Sequence, residues 1–252
     1  MNAVRGERRR SAVPRTGSRG RDARTDRLTG RLAHVYAIVG ARGPSSVRTR
    51  SSGRLDVISQ GALAAVVRLQ PGVQESSPAH LRRYERTIRE LSDRFPAVLP
   101  ARFGTVMPVE ELAFILSSRS ATLSRALSNV RGRAQMTIRI VGGAMDTREV
   151  RKRTASAEAP PSRRGREYLR ARLRESTVQR KVPGFEPVRS AVARWVRDER
   201  VEHRDGISTV YHLIPRAAAE RYRTASQRAA AAAGLPAVVS GPWPPYAFAA
   251  SD

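Results

Sequence analysis

Four histidines, His34, His80, His203 and His212, are the side chains best suited to proton transfer or metal ligation near neutral pH. None stands four residues from another, the spacing that puts two ligands on one helix face, and no cysteine is present to build a thiolate site. His34 and His212 fall in apolar, strand-like runs and read as packing or surface residues. There is no G-x-S-x-G, no glycine loop carrying a Walker lysine, and no G-x-G-x-x-G. Val141-Gly142-Gly143 lacks a third glycine and reads as a turn. Glu110-Glu111 and Asp198-Glu199 read as neighbours on helices, where adjacent side chains diverge, and so as cap and solvent charges. The expectation is a soluble, non-enzymatic protein with no catalytic residue, cofactor or metal, acting by binding or assembly.

Two phrases carry more specific chemistry. In Pro100–Val106 (PARFGTV), Pro100 stops a strand and Arg102 offers a planar fork for a carboxylate or a row of carbonyls. Phe103 supplies apolar area and Gly104 lets backbones approach closely. Pro100, Arg102, Phe103 and Gly104 read as a structural motif, a strand-to-helix junction, with direct partner contact as the alternative. In Gly241–Phe248 (GPWPPYAF), Pro242, Pro244 and Pro245 fix φ and push the preceding residues to extended geometry. A stiff, nearly polyproline segment results. Trp243, Pro244, Pro245, Tyr246 and Phe248 are therefore the candidate partner-binding residues. They form either a preordered hydrophobic hook or a strap over the chain's own second half.

The elements that must position these phrases read as α+β. Residues 1–31 are rich in Arg, Gly, Ser and Thr with little to bury, and are expected to be a disordered basic tail. Ala33–Gly40 reads as a central strand, and Leu55–Ser59 and Ala62–Leu69 as a hairpin about Gln60-Gly61. Residues between Gly40 and Gly53 read as a loop. Leu81, Tyr84, Ile88, Leu91 and Phe95 make one stripe of a helix. A short strand ends at Pro100, and Pro108 opens a helix burying Leu112, Leu116, Leu123 and Leu127.

Gln135–Val141 alternates, with Met136, Ile138 and Ile140 on one face. A polar loop is expected over Gly142–Arg164, and helices over Gly165–Lys181 and Glu186–Arg200. Strands then flank Asp205-Gly206, an Ala-rich helix runs from Pro215 to Ala233, and Ala237–Ser240 is the last strand. The second half reads βαββαβ, the ferredoxin-like order. The first half reads as a related small α+β sandwich with helices on one face of its sheet. The expected organisation is a tail over 1–31, α+β domains over 32–131 and 132–240, and a Pro/aromatic segment over 241–252.

The net charge of +25 suggests an acidic partner. Only Lys152 and Lys181 are lysines, so the excess is nearly all arginine, and it is spread along the chain rather than gathered in a stripe with interleaved aromatics. Nucleic-acid binding is the alternative function, not the leading one. No run of roughly 20 apolar residues is present to span a bilayer, and the basic start has no apolar core of a secretory signal.

VYAIVG, VLPARFGTV, GREYL (Gly165–Leu169), YHLIPR (Tyr211–Arg216) and GPWPPYAF occur in the order seen in the gas vesicle protein F/L (GvpF/GvpL) family, which this chain resembles from Leu32 onward. It departs at Tyr84 and Gln135, where the family commonly carries His and Glu. The resemblance implies a non-enzymatic gas vesicle assembly factor or minor structural protein, located at the gas vesicle and in the cytoplasm. The implied partners are the small hydrophobic shell protein and other gas vesicle accessory proteins.

Overall fold

The computed structural model describes residues 31–41, 43–70, 77–141 and 182–249. The basic tail up to residue 30, the loop expected over Gly142–Arg164 and the helix expected over Gly165–Lys181 lie outside them.

The first sheet is built on β1 (Leu32–Gly40), whose apolar run is buried along most of its length. It pairs antiparallel with β4 (Leu63–Gln70) on one side, and with the short β5 (Leu99–Pro100) and β6 (Val106–Pro108) on the other. β3 (Gly53–Gln60) joins β4 through the expected hairpin. β2 (Ser46–Thr49) then pairs with β3 at the edge, where a loop was expected. Arg48 and Ser46 hid its alternation, but Val47 and Thr49 point inward and are buried.

Helix α1 (Pro78–Arg94) starts as its sequence dictates, with Pro78 in the first turn and the Ser77 hydroxyl accepting the His80 N–H. It buries Tyr84, Ile88 and Leu91 against one face of the sheet, alongside Tyr36, Leu55 and Val66. Full burial of a side chain such as Ile88 or Leu91 contributes roughly 1.5–3 kcal/mol. Leu81, expected on that stripe, is 41% exposed.

The helix expected after Pro108 is two helices, α2 (Val109–Ser118) and α3 (Ser120–Val130), broken at Arg119. Leu112, Leu116, Leu127 and Val130 cover the opposite face of the sheet, packed on Val35, Ala65 and Val67. Helices thus lie on both faces of the first sheet, not one. The largely apolar sequence of β1 and β4 is the reason, since it leaves neither face fit for water.

The turn at Gly132 leads into the second sheet, of order β10-β7-β9-β8, all antiparallel. Its strands are β7 (Arg133–Val141), β8 (Asp198–Arg204), β9 (Ile207–Pro215) and β10 (Ala237–Trp243). Helices α4 (Glu186–Val192) and α5 (Ala219–Ala232) occupy the described crossovers, which gives the expected βαββαβ sequence of elements. Met136, Ile138 and Ile140 point to these helices and meet Phe185, Val188 and Tyr222. The opposite face carries Gln135, Thr137 and Arg139 and turns toward the first sheet.

Leu213 of that face joins Leu99 and Leu127 in a single apolar cluster. Arg216 fastens the junction, with an ion pair to Asp93 at 2.7 Å and a hydrogen bond to the Ser92 carbonyl at 3.1 Å.

Candidate functional site

The GPWPPYAF segment is not an extended polyproline run. Ser240 and Trp243 both keep partners in β7, Thr137 and Gln135, with the intervening residues bulged out. Gly241 makes the bulge possible: its φ is +120°, and a Cβ there would lie 2.8 Å from the Gln135 carbonyl oxygen. Arg223 on α5 donates to the Gly241 carbonyl. Pro244 and Pro245 are buried, and the Pro244 and Pro245 carbonyls accept from Tyr246 and Phe248 as the chain turns into the one-turn helix α6 (Tyr246–Ala249). Phe248 is 3% exposed and sits in the cluster with Leu99, Leu127 and Leu213. The Gln135 side-chain oxygen accepts the Ala247 N–H at 2.8 Å and anchors this turn to β7.

Between α1 and the inward face of the second sheet lies a cleft of about 370 Å³. That is within the range of pockets that bury a ligand or a short segment of a partner. Trp243, Tyr246 and Tyr211 provide its apolar surface; Arg89, Arg139 and Glu85 provide its charge. The Arg89 guanidinium stands 4.4 Å from the centre of the Trp243 ring, a cation–π contact that orients the indole. Burial, then the Glu85 carboxylate, push the Tyr246 hydroxyl up to about 12 against the opposing pull of Arg89. Burial and a hydrogen bond to Glu202 bring Tyr211 to about 12. Both phenols stay protonated and are hydrogen-bond donors at neutral pH.

The same face of the sheet continues outward into exposed apolar side chains. Val141 pairs with Ile207, and Val238 pairs with Arg139, two residues before Val141 on the same face. Their exposures are 62% for Val141, 65% for Val238 and 37% for Ile207. Adjoining aromatic and aliphatic areas on one sheet face can receive an apolar partner surface, with the arginines and Glu85 fixing its orientation.

Of the candidate residues, Trp243 and Tyr246 line this cleft, while Pro244, Pro245 and Phe248 are buried behind it. The other phrase lies elsewhere. Pro100 is buried in β5 and Arg102 is exposed at a turn, where the Arg102 carbonyl accepts both the N–H and the hydroxyl of Thr105. Gly104 takes φ +83° there. The Tyr84 hydroxyl reaches the carbonyls of Ala101 at 2.7 Å and Tyr36 at 3.1 Å, which fixes the phrase to β1 and α1.

Asp198-Glu199 corrects the sequence reading. The helix beginning at Glu186 ends at Val192, and both acids lie in β8. Glu199 faces inward: its carboxylate is 2.7 Å from His212 Nε2, and Arg189 Nε and Nη2 each donate to it at 3.2 Å. His212 Nδ1 is 2.6 Å from the Tyr222 hydroxyl, and the ring is fully buried. Burial alone would raise the Glu199 carboxyl, but hydrogen bonds and charge from His212 and Arg189 outweigh it and hold it at about 2. The signal was present in the Asp205-Gly206 hairpin, because counting outward from that turn sets Glu199 opposite His212. The network joins α4, α5, β8 and β9. Among the described residues no group of three His, Cys, Asp or Glu is placed to hold a metal ion.

The architecture defines a mixed α+β protein of antiparallel sheets covered by helices, with a cleft between sheet and helix. The chain belongs to the gas vesicle synthesis protein GvpL/GvpF family, whose model matches residues 32–250. Two solved structures share the fold. The gas vesicle protein GvpF from Anabaena sp. PCC7120 aligns with TM-score 0.62 at 13% identity, over 88% of this chain and 99% of that one. GvpF from Microcystis aeruginosa aligns with TM-score 0.63 at 14% identity, over 88% and 100%. A search of curated proteins finds no match. No helix among the described residues is long and apolar enough to cross a membrane.

Proposed function

We propose that the chain is a non-enzymatic gas vesicle assembly factor or minor structural protein that holds the hydrophobic shell protein during vesicle formation. The observation that carries this is the single sheet face on which the Trp243–Tyr246–Tyr211 cleft runs into exposed Val141, Ile207 and Val238. A small apolar protein gains most from such a surface, because burial of apolar area is the main favourable term in association. Other gas vesicle accessory proteins are the remaining partners of this reading, and the vesicle surface within the cytoplasm is its site of action. Co-expression with the shell protein tests it: the shell protein co-purifies with the intact chain, and Trp243→Ala with Val238→Asp releases it. Equal capture by the double variant overturns the assignment to this face.

The net charge of +25 supports a second reading, nucleic-acid binding. Binding through phosphate contacts falls steeply with salt, and retention of sequence-dependent binding at physiological salt would favour it over the first reading.

A further inference from the structure

A second cavity, sharing no lining residue with the cleft, opens where α1 begins beside β1 and β4. Its inner wall is a stack of rings. His34 lies 5.0 Å from Tyr36 and 5.9 Å from Tyr84 in near-parallel orientation, and Phe103 closes the stack edge-on, 5.3 Å from Tyr84. Arg68, Arg83 and His80 complete the lining, and among the described residues no carboxylate contributes to it.

His34 is only 9% exposed, yet its Nε2 has no hydrogen-bond partner among the described residues. A buried polar nitrogen left unpaired is destabilising, so its persistence in a lined cavity points to a group that arrives from outside. The two tyrosine hydroxyls do not fill that role. Tyr84 is engaged with backbone carbonyls, and Tyr36 lies within 3.5 Å of the Ser52 hydroxyl. Arg68 donates to the Ser52 carbonyl, which holds its guanidinium in place at the cavity. Burial and the Arg68 charge lower the His34 pKa, so the imidazole serves as a neutral hydrogen-bonding group while the arginines supply the charge.

We infer that this cavity is a binding site for a single carboxylate group, held by the Arg68 and Arg83 guanidiniums and hydrogen-bonded to His34 Nε2. Its volume of about 70 Å³ admits a group of a few heavy atoms and is far below the roughly 300 Å³ at which whole-metabolite pockets begin. A planar carboxylate also matches the guanidinium fork, accepting two parallel N–H bonds. The group comes either as a free small carboxylate or as an acidic side chain on a partner protein.

Titration of the full chain, followed by the His34 ring Cε1–Hε1 NMR resonance, tests this. Sodium acetate at constant ionic strength shifts the resonance saturably, with half-saturation on the order of 10 mM for so small a ligand. Acetamide leaves it unmoved. Arg83→Gln, an exposed position that folding tolerates, weakens acetate binding at least about tenfold, the loss of one charge-assisted contact. A tripeptide Ala-Glu-Ala with blocked ends that saturates the same resonance below acetate's range identifies a partner's side chain as the source; saturation by acetate alone identifies a free carboxylate. The inference is overturned if acetate gives no saturable shift, if Arg83→Gln binds as well as the parent chain, or if inorganic phosphate binds more tightly than acetate.

Discussion

The Gln135 side-chain oxygen accepts the Ala247 N–H at 2.8 Å, joining the start of the second sheet to the last turn of the described chain. Gln135 is 5% exposed, so its side-chain oxygen has little water to fall back on. Gln135→Leu is expected to destabilise the fold by about 1–3 kcal/mol, because the Ala247 N–H is left unpaired. Gln135→Glu keeps an acceptor oxygen there and should lose less. Urea unfolding of both variants checks the order, and equal losses would remove Ala247 from the argument.

Stability in acid should follow Glu199. Its carboxyl is held at about 2 in the folded chain, below its ordinary value of about 4.3 in the unfolded chain. A depressed folded value means the contribution is fully present above pH 4.3 or so and is lost as pH falls from there toward 2. Thermal unfolding midpoints across that window should drop for the parent chain. Glu199→Gln should start lower at neutral pH and show a shallower acid limb.

Phe248 and Trp243 should separate stability from binding. Phe248→Ala empties a site in the shared cluster and is expected to cost about 3–5 kcal/mol. Trp243 is half-buried, with its indole N–H donating to Ser240 at 3.3 Å and Arg89 on its face. Trp243→Ala should cost less in unfolding and more in capture of the shell protein. The reverse ranking in paired denaturation and pull-down experiments would make Trp243 a packing residue only.

Gly241 and Gly104 share a positive φ and differ in surroundings. A Cβ on Gly241 meets the Gln135 carbonyl at 2.8 Å and Met136 Sδ at 2.9 Å, whereas one on Gly104 meets nothing within 4 Å. Gly104→Ala is expected to cost about 1–2 kcal/mol through its backbone conformation alone. Gly241→Ala adds a clash with backbone and should lose more, together with the pairing of Trp243 to Gln135. Denaturation midpoints give the first difference, and amide exchange at Trp243 gives the second.

Local pattern carried much of this fold. The apolar run of β1, the Ser77-Pro78 start of α1, the alternation of Met136, Ile138 and Ile140, and the Asp205-Gly206 turn each state their own conformation within a few residues, because backbone sterics and side-chain periodicity act over that range. Family membership was legible in the ordered phrases for the same reason. Asp198-Glu199 was misread because helix and strand are both open to a short charged run, and only pairing with β9 selects the strand.

What tertiary structure alone decided was which side chains face each other across long stretches of chain. The His212–Glu199–Arg189 network, the cleft of Trp243 with Arg89 and the His34 cavity all join residues from different elements. Phe248 was a candidate for display in sequence and is buried in fact, because its exposure depends on where the turn after Pro245 lands, and that is set by Gln135 and by the cluster waiting to receive it.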